Sequence, residues 1–313
     1  MRRSWHVLVV AIVAFASSAS GRAQTYPPWS KGENNPASDK GFVFSVSDID
    51  NVPDLHGNPE GAKLVLFIGG NQFFVLPQLI AVFETQHPEL RGHIFYETLP
   101  PGILAKQMGS HNTVTVGNLT LHVVPDVYEA GQRAMLDMTA ENRVDEPVSY
   151  ATNDLMIMVG KSNPKQIRSL RDLGNPALRL AMPNPDYEGV AKQIGDSLRK
   201  AGEEQLFQTV YKIKVQDGST YLTQIHHRQT PMRIMKGDSD AGVTWSSEVR
   251  FQEKIGNPIA GVAIPPEQNT TATYSAAVVR GAPHLEVARA WISFLKSPEA
   301  QAIYKEFGFG PVK

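Results

Sequence analysis

Five short stretches of this 313-residue sequence carry side chains able to hold a ligand or do chemistry. They are Gly69-Gly70-Asn71-Gln72, Glu129, Tyr187-Glu188-Gly189, the run His226-His227-Arg228-Gln229-Thr230, and Trp245. Asn71, Gln72, Gln229, Thr230 and the Trp245 indole offer neutral hydrogen-bond donors, and Arg228 offers a fork that can grip a carboxylate. A metal site needs three or more converging ligands. Adjacent histidines on an extended segment point to opposite faces, so Glu129, Glu188 and one of His226 and His227 are only weak metal candidates. Catalysis has less support. The sequence has no cysteine nucleophile, no Gly-x-Ser-x-Gly elbow, no His-Glu-x-x-His, no Walker loop and no Gly-x-Gly-x-x-Gly. The reading is of a binding protein without cofactor rather than an enzyme.

The elements that would position these residues alternate between strand and helix. Leu64–Ile68 is a short apolar run without charge, as suits a strand buried on both faces. Leu76, Leu79, Ile80 and Phe83 then follow with helical spacing. Pro77 in the middle of a helix would delete a hydrogen bond, so that helix starts near Leu76 with Pro77 in its first turn. Gly69–Val75 is left as a loop carrying Asn71, Gln72, Phe73 and Phe74 toward a cleft. The same theme recurs at Leu178–Met182, the polar loop Pro183–Gly189 and a helix through Arg199. Ile94–Tyr96, Val123–Val127, Val148–Val159, Tyr211–Val215, Ala241–Trp245 and Tyr274–Val279 read as further strands, and Thr113–Val124 as a hairpin around Gly117. Thr230-Pro231 looks like an N-cap and first-turn proline, and Ser297-Pro298 likewise.

The N-terminus speaks to compartment. Arg2 and Arg3 precede the apolar run Val7–Ala16, with Gly21-Arg22-Ala23 a plausible cleavage point. This is the pattern of a secretory signal peptide over residues 1–23, since the run is too short to span a bilayer. Without cysteine there is no acylation site and no disulfide, which predicts a soluble protein of the periplasm. Residues 24–60, rich in Pro, Asn, Ser, Asp and Gly, read as an extended arm. The remainder exceeds what one core usually supports, which predicts two lobes. Lys+Arg 30 against Asp+Glu 31 leaves a net charge of -1, with no basic excess to recruit nucleic acid.

From Lys63 to Phe309 the order of elements, together with Pro183–Gly189, Gly237–Trp245, Tyr274–Val279 and the ending Trp291–Phe309, resembles type II periplasmic solute-binding proteins of ABC importers, most of all the molybdate-binding group. The resemblance implies an α/β fold of two Rossmann-like lobes, 61–150 plus 270–313 and 151–269, crossed near Val148–Asn153 and Ile264–Ala272. A ligand would be enclosed between them. It also implies a monomer that hands a small polar ligand to an inner-membrane permease, a sensory co-receptor and a metal-binding periplasmic protein being the alternatives. Carried over by position, the ligand contacts fall on Asn71, Glu129, Glu188 to Val190, Gln229 to Pro231 and Trp245, with Gly70, Gln72, Tyr187 and Arg228 beside them. Two of these depart from the family's neutral donors: Glu129 as an ionised carboxylate would repel a doubly charged oxyanion, and Trp245 offers only its indole N–H.

Overall fold

The computed structural model describes residues 42–45, 53–116, 119–186, 188–224 and 226–312. The expected signal peptide and Tyr187 lie outside them. In chain order the first part gives β1 (Phe42–Ser45), β2 (Pro53–Gly57), β3 (Leu64–Ile68), α1 (Leu76–Gln86), β4 (Ile94–Glu97), α2 (Pro101–Gly109), the hairpin β5 (Thr113–Val116) and β6 (Leu119–His122), β7 (Val127–Gly131), α3 (Gln132–Ala140) and β8 (Val148–Asn153). A second series follows: β9 (Leu155–Gly160), β10 (Leu180–Met182), α4 (Val190–Gln208), α5 (Lys214–Gln216), β11 (Thr220–Leu222), α6 (Gln229–Met235), β12 (Ala241–Trp245), α7 (Ser246–Lys254) and β13 (Ile259–Ala263). The chain then returns through β14 (Ala272–Val278) to α8 (Leu285–Phe294) and α9 (Pro298–Glu306).

Two sheets organise these elements. Among the described residues one has seven strands in the order β1-β2-β4-β3-β7-β14-β8, and the other five in the order β11-β10-β12-β9-β13. Each centres on parallel pairs, β3 with β4 and β7 in the first, β10 with β11 and β12 in the second. The chain crosses between them at β8–β9 and again between β13 and β14. Central strands are apolar because both faces are covered: β3 is buried throughout, as is β12. Helix α1 begins at Leu76 with Pro77 in its first turn, and the Ser297 hydroxyl caps α9 by accepting from the Ala300 N–H at 3.2 Å.

Four expectations need correcting. Residues 53–57 of the supposed arm are β2, paired antiparallel with β4 and burying Leu55. Tyr211–Val215 is helical, continuing from α4 through a π-turn over Thr209–Ile213 into α5. The alternation of Tyr-Lys-Ile-Lys-Val suggests a strand, but the core takes Val210, Tyr211 and Lys214, at helical spacing, and leaves Ile213 57% exposed. The Lys214 ammonium reaches inward to the carbonyls of Asn175 and Leu178, at 2.7 and 2.6 Å. Thr230 is no cap: α6 opens one residue earlier, and the Thr230 hydroxyl donates to the Ala181 carbonyl instead. Finally, Phe73 and Phe74 do not line the cleft. They pack on Phe251 of α7, with Phe74 stacked at 4.7 Å between ring centroids and Phe73 edge-on at 5.4 Å, and Phe74 also meets Phe307 and Phe309. Since α7 lies on β13 of the smaller sheet, this aromatic cluster joins the two lobes.

Candidate functional site

A cavity of about 610 Å³ opens between the two sheets. Gly70, Asn71, Gly131 and Tyr274 border it from the larger lobe, and Glu188, Gly189, His226, His227 and Trp245 from the smaller. All but Tyr274 sit at the C-terminal ends of β3, β7, β10, β11 and β12 or in the turns that leave them, where ligands of open α/β sheets bind; Tyr274, near the start of β14, pairs with Gly131 at the same edge.

At the first turn the Asn71 amide donates to the Tyr274 hydroxyl at 2.6 Å. Gly70 must be glycine, because a Cβ there would fall 2.6 Å from the Thr98 carbonyl oxygen and 2.8 Å from the His226 ring. Trp245 ends β12 and meets Tyr274 edge-to-face at 5.9 Å, so indole and phenol together form an aromatic floor.

The His226–Thr230 segment divides its side chains between two buried charge clusters. Arg228, 1% exposed, donates through Nη2 to the Asp54 carboxylate of β2 and to the Thr98 carbonyl at 2.9 Å, and its guanidinium lies 4.8 Å over the Phe73 ring. His226 Nε2 sits 3.2 Å from the same carboxylate. Burial opposes charge on Asp54, but the Arg228 guanidinium and the His226 ring outweigh it and hold its pKa down to about 2. On the other side, His227 bridges two carboxylates, Nδ1 to Glu188 at 3.1 Å and Nε2 to Glu248 at 2.9 Å. Burial disfavours the charged ring, yet the two acids prevail and lift its pKa to about 10. Glu188 also accepts from the Thr223 hydroxyl and, at 3.0 Å, from the Asn184 N–H.

Several residues singled out from the sequence therefore do other work. Glu129 is not in the cleft: its carboxyl is fully buried in the larger lobe, accepting from Trp291 Nε1 at 2.6 Å and the Tyr150 hydroxyl at 2.8 Å. Burial there, only partly offset by these donors, pushes its pKa up to about 7, so repulsion of an anion by Glu129 is no longer an argument. Gln72 belongs to the same network, donating to Tyr150 at 2.7 Å and accepting from Tyr304 at 3.0 Å. Arg228 is occupied by Asp54. Gln229 closes its own loop by accepting from the Gln224 N–H at 3.1 Å. Both histidines border the cavity, although only one was expected to. No group of three His, Asp or Glu residues among the described residues is arranged to hold a metal. Asp54 escaped the sequence reading because its strand has turn-like composition and pairs with a partner forty residues away; the alternation of Asp54, Leu55 and His56 was the available signal.

A family model for bacterial extracellular solute-binding proteins matches residues 64–310. The molybdate-binding protein ModA of Mycobacterium tuberculosis is 21% identical over 211 residues, 67% of this chain and 74% of that protein. The sulfate-binding protein of Escherichia coli is 25% identical over 207 residues, 61% of either chain. Among solved structures, the sulfate-binding protein SubI of M. tuberculosis superimposes with a TM-score of 0.65 at 18% identity, covering 80% of this chain and 86% of that one. With two sheets crossed by the chain and a cavity between them, this protein belongs to the bacterial extracellular solute-binding proteins and has the type II periplasmic binding-protein fold.

Proposed function

We propose that this chain is the periplasmic solute-binding component of an ABC-type importer, capturing a small polar ligand between its lobes and presenting it to an inner-membrane permease. The observation that carries this is the cavity itself, walled by strand ends and turns of both lobes, so that a bound solute favours the closed form. The lobes are taken as 61–150 plus 270–313 and 151–269, with β1 and β2 added to the first. The ligand contacts are Gly70, Asn71, Glu188, Gly189, Trp245 and Tyr274, and Tyr187 is added to them on its sequence position alone. The site has the make-up of a binding cleft rather than a catalytic one, since its histidines and carboxylates are committed to one another.

Thermal unfolding of the mature chain against a panel of oxyanions, divalent metals, sugars, amino acids and organic acids tests this. A true ligand at about 100 times its Kd adds roughly 2.7 kcal/mol of stability. A panel that leaves the transition unmoved throughout rejects the reading.

A further inference from the structure

The inner end of the cleft, where a solute would reach the Gly69–Gln72 turn, is filled by the chain itself. The His226 ring presses on Gly70, and Arg228 spans from the smaller lobe to Asp54 and Thr98 of the larger. All three of His226, Arg228 and Asp54 are buried, so the plug is closed to solvent. The space that remains borders the plug at Gly70 and His226 and runs outward between α3 and α4.

As the lobes stand, that space has room for an organic solute. At about 610 Å³ it falls within the ~300–1,000 Å³ range of organic-ligand pockets.

Its charges also balance. Arg133, Lys192 and Arg199 share the lining with Asp137, Asp186 and Asp196, and the cationic His227 lies between Glu188 and Glu248. No net positive field is left to concentrate a doubly charged ligand. The lining, by contrast, includes Trp245 and Tyr274, which pack edge to face and give an apolar wall for a carbon framework.

We propose that the solute is a polar organic molecule without large net charge, neutral or zwitterionic, lying against Trp245 and Tyr274, and that the Asp54–Arg228–His226 plug denies this cleft to bare tetrahedral oxyanions. This rests on the solute-binding reading given above.

The test is calorimetric titration and thermal unfolding of the full mature chain with sulfate, phosphate and molybdate, with succinate and citrate, and with neutral or zwitterionic probes, namely free amino acids, betaines and monosaccharides. At least one of the last group should bind, with the inorganic anions inert at millimolar concentration. Trp245→Ala should weaken that binding by about tenfold or more, and Trp245→Phe should restore part of it. Asp54→Asn, which removes the negative charge opposite Arg228, should create a sulfate response absent from the parent. Binding of sulfate, phosphate or molybdate to the parent, or of succinate or citrate alone, overturns the inference and leaves the solute-binding reading standing. A chain that binds none of the probes overturns both.

Discussion

Along one flank of the cleft the two lobes meet through Phe73, Phe74, Phe251 and the Asp54–Arg228 pair, all shielded from water; along the other they face each other over an open cavity rimmed by exposed Arg133, Lys192 and Asp137. The same residue types have opposite value on the two flanks. A charge kept from solvent must be answered by a partner, and removing that partner is costly. A charge in solvent is already answered by water, and its neighbours matter little to folding. The sealed flank is thus structural, and the open flank is free to be shaped for a solute.

The largest effect should come from Arg228→Ala, which strands the Asp54 carboxylate in the interface. About 3–5 kcal/mol of stability should be lost, measured by urea unfolding. Asp54→Leu combined with Arg228→Met should recover most of it, because no buried charge then remains. Equal losses in the single and double variants would show that the pair is not what joins this flank.

Two pH slopes come next. Glu129 has its pKa raised in the folded chain from 4.5 to about 7, so the folded state holds the proton more tightly. The resulting stability is complete below pH 4.5 and is lost as pH rises to about 7, on the order of 3 kcal/mol. His227, raised from 6.5 to about 10, contributes stability that is complete below pH 6.5 and lost between there and about 10. Unfolding at stepped pH should show both declines, with Glu129→Gln flattening only the first and His227→Gln only the second. The smallest effect is at the rim, where Arg133→Ala or Lys192→Ala should change stability by no more than about 0.5 kcal/mol. A loss of several kcal/mol there would erase the distinction between the flanks.

Much of the fold was legible because local signals agreed with the tertiary environment. Leu64–Ile68 is apolar for a doubly covered strand, Pro77 fixes the start of α1, and Ser297 caps α9. The site was less legible, and for a physical reason. A carboxylate such as Glu129 looks the same in sequence whether it faces a ligand or a Trp291 N–H from a helix more than a hundred residues away. Likewise Phe73 and Phe74 could have served a cleft or a core, and the deciding partner, Phe251, lies in the other lobe. Long-range pairing chose between these uses, and no local pattern encodes it.

The aromatic cluster around Phe251 also bears on the lobe closure proposed above. Two bodies pinned along one edge can only swing about that edge, so it acts as a fulcrum. In the closure proposed above, displacement would grow with distance from it, least near Phe74 and greatest at the first turn of α4 and the start of α3, which border the open cavity. A permease of the kind proposed above would then read loading at that far rim, where a small rotation becomes a large change of shape.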